Sequence, residues 1–226
     1  MNDPANQRFV FDPPSVTSVA IAGSSQRFPV GAIYAFTGTY GAGRAEPAVF
    51  TKSSQTVIDS GGTVPYPPAT RMLEPEIELV VAIGQSCPDL ADEHAAQRAV
   101  FGYGVGLDMT RRDLQRAARN EGKPWDMAKT FDGASPIAAI HPAATIGHPA
   151  QGAITLDVNG RRAQEGDLLQ MAFSPLALVV LLSRLIALRP GDLIFTGTPS
   201  GEIQLHPGDR LEGRIAGLSP LLVTIG

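Results

Sequence analysis

Read with a period of two, "EPEIELVVAIG" (residues 74–84) puts Glu76, Glu78, Val80 and Ala82 on one face of an extended segment. Ile77, Leu79, Val81 and Ile83 share the other face. A strand apolar on both faces is buried on both faces, so two carboxylates at its mouth need a reason. Similar apolar runs bounded by Gly and Pro predict strands over 16–21, 31–36, 103–109, 152–158, 192–196 and 220–225, besides 76–84. Two segments read as helices. One runs from about Asp89 to Val100, with Asp89 at the N-cap and Asp92 and Glu93 in its early turns. The other is "SPLALVVLLSRLIALRPGD": Ser174 caps it, Pro175 takes the first helical position, and Pro190-Gly191 stops it. Apolar nearly all round, it belongs inside, against the sheet or a partner subunit.

Residues 40–70, rich in Gly, Ser, Thr and Pro, read as a long connection of the kind that forms lids. With 24 Gly and 19 Pro spread over 226 residues, the chain is expected to be α+β and strand-rich. It reads as a single domain over 1–226, with an N-terminal strand or extension over 1–30, the lid or connection over 40–70, and the body over 71–226. The net charge of −4, without a basic run, offers nothing to nucleic acid or an anionic membrane. "MNDPANQRFVFDPPS" has neither the basic nor the apolar region of a secretory signal. The longest apolar run is broken by Ser183 and Arg184 and is too short to span a bilayer. Cys87 is the single cysteine, which excludes an internal disulfide and fits a reducing compartment. The expectation is a soluble cytoplasmic protein.

Taken alone, Glu76 and Glu78 read as a solvated strand end, which accounts for most E-x-E patterns. "GYGVGLDMTRRDLQ" changes the balance, because Asp108 closes a second apolar, Gly-rich strand. Three clustered carboxylates repel one another, and a hard octahedral cation such as Mg²⁺ or Mn²⁺ removes that cost. No Cys/His cluster has zinc spacing. Arg111, Arg112, Asp113 and Gln115 follow, either as a carboxylate-binding fork or as a surface charge cluster. Lys129, in "WDMAKTFD", is either a catalytic group or a lysine that snorkels to water. "PGDLIFTGTPSGE" is either an ordinary tight turn or, with the hydroxyls of Thr196 and Thr198, an anion-binding nest.

Together "EIELVVAIG", "GYGVGLDMTRRDLQ", "WDMAKTFD" and "FTGTPSGE" stand in the order and rough spacing of the fumarylacetoacetate hydrolase family, which the chain resembles over roughly residues 30–226. "YPPAT", "GLDMTRRDLQ" and "PWDMAK" are most similar to the fumarylpyruvate (acylpyruvate) hydrolase branch, which acts in gentisate breakdown. The resemblance implies a mixed β roll of the family's C-terminal type, a homodimer, and Mg²⁺ or Mn²⁺ held by Glu76, Glu78 and Asp108. It implies a small 2-oxo acid substrate, a short acylpyruvate whose 2-oxo acid end chelates the metal. Arg112, Gln115, Thr198 and Tyr40 would bind that substrate, and Lys129 would stabilise the oxyanion at the attacked carbonyl. The family activates water with a His–Glu dyad in a segment resembling N-Y-x-x-H-x-x-E. Here "TYGAGRAE" keeps Tyr40 and Glu46 but has Gly43 at the histidine position. The family's "HHE" is likewise Glu74-Pro75-Glu76, and His94, His141, His148 and His206 all lie outside the lid.

Losing a general base costs about 10²–10⁴ in rate, so reduced or altered hydrolysis is expected. Three outcomes follow. The chain is a C–C hydrolase with Glu46 or a metal-bound water as base, a metal-dependent decarboxylase or tautomerase of an oxaloacetate-like acid, or a catalytically silent ligand-binding homologue.

Overall fold

The computed structural model describes residue 10, residues 15–41 and residues 46–226. In chain order its strands are β1 (Ser18–Ala20), β2 (Arg27–Pro29), β3 (Ile33–Thr37), β4 (Ala48–Lys52), β5 (Val57–Asp59), β6 (Thr63–Val64), β7 (Leu73–Glu74), β8 (Ile77–Ile83), β9 (Val100–Leu107), β10 (Thr110–Arg111), β11 (Ser135–Ile137), β12 (His141–Pro142), β13 (Ala153–Val158), β14 (Arg161–Asp167), β15 (Leu193–Phe195), β16 (Arg210–Ile215) and β17 (Leu221–Ile225). The helices are α1 (Glu93–Ala99), α2 (Arg112–Asn120), α3 (Ala143–Ile146) and α4 (Pro175–Leu185).

Every residue of β8 is buried, which its two apolar faces require. It lies inside an eight-stranded mixed sheet of order β4-β3-β15-β8-β9-β11-β5, with β12 added on β9. One face carries Ile77, Leu79, Val81 and Ile83 into the larger core, where they share space with Ile154, Leu156, Leu211 and Leu221 of the second sheet. That second sheet has five strands, in the order β14-β13-β16-β17-β6. Val80 and Ala82, on the opposite face, join Ile33, Ala35, Phe50 and Phe195 in a separate core. Both faces of the strand are thus consumed by packing, and only its first turn of side chains is left for chemistry.

α4 is buried as its composition demands: Leu178 and Val179 have no exposed surface, and the Ser174 hydroxyl caps it by accepting from the Ala177 N–H at 3.0 Å. It ends at Leu185, not at Pro190-Gly191. The chain is pulled out straight there, because buried Leu188 bridges Cys87, whose N–H donates to the Leu188 carbonyl at 3.0 Å. α1 starts later than its acidic residues suggested. Asp92 is the N-cap, accepting from Ala95 N–H at 2.8 Å. Asp89 is still in a left-handed conformation (φ 44°), with its N–H tied to the Ser183 carbonyl of α4.

The 40–70 region needs the largest correction. It is not one connection, since β4, β5 and β6 fall inside it. Tertiary pairing makes them strands: β4 lies antiparallel to β3, β5 parallel to β11, and β6 parallel to β17. Among the described residues no helix is long and apolar enough to cross a membrane.

Glycine is obligatory at one point of the sheet next to the site. A Cβ on Gly102, in β9, would stand 2.2 Å from the His141 carbonyl oxygen of β12. Backbone cannot retreat as a side-chain tip can. Gly102→Ala should therefore lower the unfolding free energy in urea by about 1–3 kcal/mol. An unchanged urea midpoint would show that β12 yields freely.

Candidate metal centre and cleft

Two strand ends build the site. β8 pairs antiparallel with β9, Ile77 opposite Leu107, and just beyond the ladder the Asp108 N–H donates to the Glu76 carbonyl at 2.9 Å. The pairing continues outward as β7 against β10, Glu74 opposite Thr110. Glu76, Glu78 and Asp108 therefore converge, each offering an oxygen within 4.8 Å of the others. Glu78 and Asp108 are each 1% exposed.

Three cations compensate them. Lys129, at the end of a short 3₁₀ turn (Asp126–Ala128), donates from Nζ to Glu76 Oε2 at 2.7 Å and to Asp108 Oδ2 at 2.5 Å. Lys52, on β4, donates to Asp108 Oδ1 at 2.5 Å and to the Ala134 carbonyl at 2.9 Å. Arg112, the first residue of α2, spreads its guanidinium over three acceptors at 2.6 Å each. Nε reaches Glu74, Nη2 reaches Glu76, and Nη1 reaches Gln115. Among the described residues Glu78 meets no side-chain cation directly. Its Oε2 accepts the Gly197 N–H at 2.5 Å, so the Thr/Gly turn does bind an anion, the protein's own. That turn needs glycine: Gly197 has φ +95°, and a Cβ there would lie 1.9 Å from the Thr39 hydroxyl.

The electrostatics follow from burial and these partners. Burial, then Asp108 and Glu76, push the Glu78 carboxyl well above the usual carboxylate range. Burial also works against the Asp108 carboxylate, but Lys129 and Lys52 outweigh it and hold it low. Burial would lower the Lys129 ammonium, and Asp108 and Glu76 instead keep it above its ordinary value. Lys52 is pulled down by burial against the opposing pull of Asp108. With Asp108 held ionised, we read Lys52–Asp108 as an ion pair. The carboxylate left short of charge is Glu78, and among the described residues no hydrogen-bond donor meets its second oxygen. A hard divalent cation fits that deficit and an all-oxygen donor set.

A cleft of about 830 Å³ opens beside the triad, with Tyr40, Glu76, Arg112, Thr198 and Ser200 in its lining. Thr198 is set by Gln164, whose side-chain amide donates to the Thr198 hydroxyl at 3.0 Å and accepts the Ile77 N–H at 3.0 Å. The Tyr40 hydroxyl is buried with no partner among the described residues. Burial, then Glu78 and Asp167, raise its pKa. Gln115 does not line the cleft but supports Arg112 from within α2. Glu46 is exposed just before β4, and Gly43 lies outside the described residues. The histidines serve elsewhere. His94 contacts Arg98 on the exposed face of α1, His141 meets Ser219, His148 meets the Tyr103 hydroxyl, and the exposed His206 donates only its main-chain N–H, to the Asp209 carboxylate. Sequence reasoning missed Lys52 and the bond from Glu74 to Arg112. The available signal for Lys52 was its period-two relation to Phe50, which is buried on the same strand face.

The chain belongs to the fumarylacetoacetate hydrolase family: residues 38–225 match the family described as fumarylacetoacetate (FAA) hydrolase C-terminal. A fumarylpyruvate hydrolase of Ralstonia sp is 41% identical over 177 residues, covering 78% of this chain and 91% of that protein. The human mitochondrial oxaloacetate tautomerase is 38% identical over 174 residues, 77% of this chain and 78% of that protein. The crystal structure of fumarylpyruvate hydrolase from Pseudomonas aeruginosa in complex with Mn²⁺ and pyruvate matches with a TM-score of 0.92 at 40% identity, covering 96% of this chain and 99% of that one. The strand-rich mixed roll is thus the family fold, and the chain is a metal-dependent enzyme of this family acting on a small molecule.

Glu78→Gln separates metal binding from folding. Gln keeps an acceptor for the Gly197 N–H and removes a buried, undercompensated charge. Without metal the variant should melt no lower than the wild type. Its calorimetric affinity for Mn²⁺ should fall by at least about 100-fold, beyond the ~10–100-fold typical of outer-shell partners. Retained Mn²⁺ affinity would remove Glu78 from the site.

Proposed function

We propose that the protein cleaves a carbon–carbon bond in a short acylpyruvate, a 2,4-dioxo acid of the class that includes fumarylpyruvate. The observation that carries this reading is the position of Lys129: a buried ammonium bonded at once to two of the three cation-binding carboxylates. Its raised pKa keeps the proton on, so it offers fixed positive charge where an oxyanion develops.

In the overall reaction, water adds its oxygen to the acyl carbonyl carbon and the bond from that carbon to the central methylene breaks. The bonding pair leaves on the methylene as an enolate, which takes up a proton. The products are a carboxylate, pyruvate and one released proton. A divalent cation on Glu76, Glu78 and Asp108, Mg²⁺ or Mn²⁺ by donor type, supplies Lewis-acid polarisation of the 2-oxo acid. Arg112 and Thr198 hold the substrate at the cleft wall, Gln115 and Gln164 fix those two side chains, and Tyr40 offers a hydroxyl that has no partner among the described residues. Glu46 takes the proton of the attacking water, alone at the position where the family pairs it with histidine. A homodimer in the cytoplasm completes the proposal, on the family resemblance and on the single, buried Cys87.

The second reading is tautomerisation or decarboxylation of an oxaloacetate-like acid, which needs enolate stabilisation but no attacking water. Gly43 in place of the dyad histidine and the similarity to an oxaloacetate tautomerase favour it. A catalytically silent role is disfavoured by the buried carboxylates, which are costly to keep together for no purpose.

With Mg²⁺ or Mn²⁺, the purified protein should consume acetylpyruvate or fumarylpyruvate above the metal-only blank, and a chelator should abolish the excess. Lys129→Met should cut kcat by about 10²–10³ while Mn²⁺ affinity does not fall, because a like charge has been removed. Rates equal to the blank for both substrates, with oxaloacetate tautomerised in the same buffer, would move the assignment to the second reading.

A further inference from the structure

Glu74 has no part in the reaction as proposed, yet it is 3% exposed and bonded to Arg112 Nε. It ends a chain of side chains that alternate in charge: Glu74, Arg112, Glu76, Lys129, Asp108, Lys52. These six cancel in pairs. Glu78 is the carboxylate left over, so the constellation has a formal charge of minus one. With a divalent cation bound, every ligand carboxylate is ionised, and the constellation stands at plus one. The charges at the rim lie outside this buried set and in contact with water, which screens them: Glu202 pairs with Arg116 at 3.3 Å, and Arg162 is shared by Asp157 at 2.6 Å and Glu165 at 3.1 Å. The donor count points the same way. Arg112 has five N–H groups, and Glu74, Glu76 and Gln115 take three of them. One N–H on Nη1 and one on Nη2 have no acceptor among the described residues, enough for one carboxylate.

We infer that Glu74 is a specificity-determining residue: its buried charge behind Arg112 sets the cation-loaded cleft to take 2-oxo acids with one carboxylate over those with a second. The inference rests on the acylpyruvate reading for its substrates and narrows it to acylpyruvates with an uncharged acyl end. Glu74 acts through Arg112 and through its field, and is not placed among the reacting groups. Were position 74 neutral, the loaded site would stand at plus two, the charge that matches a dicarboxylate.

The test compares wild type with Glu74→Gln, which keeps an oxygen for the Arg112 Nε–H and removes only the charge. Both are assayed with Mn²⁺ on acetylpyruvate, with one carboxylate, and fumarylpyruvate, with two. Wild type should favour acetylpyruvate. The variant should raise the fumarylpyruvate-to-acetylpyruvate ratio of kcat/KM by about fivefold to twentyfold, mostly through KM, as expected for one unit charge at several ångströms in a partly buried site. A ratio within about twofold of wild type overturns the inference. Glu74→Met should shift the ratio in the same direction; if only Met shifts it, Glu74 is a hydrogen-bond anchor and the charge argument fails. Calorimetry of the Mn²⁺-loaded proteins with pyruvate and 2-oxoglutarate provides a second arm. The variant's affinity ratio should move toward 2-oxoglutarate, and an unchanged ratio overturns the inference. If neither acylpyruvate is cleaved, the hydrolase reading falls, and the calorimetric arm still decides the charge preference.

Discussion

Burying like charges together is the constraint around which this molecule is arranged. At 4.8 Å or less, two carboxylates repel by roughly 3 kcal/mol or more even at an effective dielectric of about 20. No single segment can answer that cost. The compensating groups come from β4, from the turn before Lys129, and from the start of α2, which are distant in sequence and meet only in the folded chain. Asp108 and Glu76 each have two of these cations, whereas Glu74 has Arg112 alone among the described residues. Losing Arg112 would therefore leave a buried carboxylate without its counter-charge, the situation in which buried ion pairs are most costly to break.

What makes the arrangement possible is the β8–β9 pair. Its register puts Glu78 opposite Gly106, and its final backbone bond ties Asp108 to Glu76. The large apolar side chains of both strands anchor that register. A one-residue slip would turn Ile77 and Leu79 out of the larger core. The rigidity of the cation site is therefore inherited from hydrophobic packing on both faces of β8, and the carboxylates stand where that packing stops.

The parts legible in the sequence were those whose signal is local. An apolar strand that opens with Glu-x-Glu, an apolar strand that closes with Asp, and a lysine in an apolar turn each show within a few residues. Lys52 does not. In "FTKSSQ" it has polar neighbours on both sides, and only the pairing of β4 with β3 turns it inward beside Phe50. α2 was hidden for a related reason: "RDLQRAARN" has no large apolar residue besides Leu114, and its place is set by the ion pairs of Arg112. The helix ends misread in the sequence, Asp89 and Pro190, were each displaced by a contact with a distant partner, Ser183 in one case and Cys87 to Leu188 in the other. Glu74 was visible as a departure from the family pattern, but its partner was not.

The two lysines on Asp108 show how one carboxylate can serve structure and chemistry at once. Lys52 shares its ammonium between Asp108 Oδ1 and a main-chain carbonyl, and its side chain has no exposed surface. A main-chain acceptor cannot move without the fold, so this lysine is a fixed anchor that orients Asp108. Lys129 binds side chains alone, Asp108 Oδ2 and Glu76 Oε2, which belong to two of the three carboxylates of the candidate cation site. Its surroundings can therefore rearrange when a cation takes a share of those carboxylates. Burial dominates at Lys52 and lowers its pKa, whereas two carboxylates dominate at Lys129 and raise it. The first lysine holds the ligand in place; the second carries charge that a reaction can use.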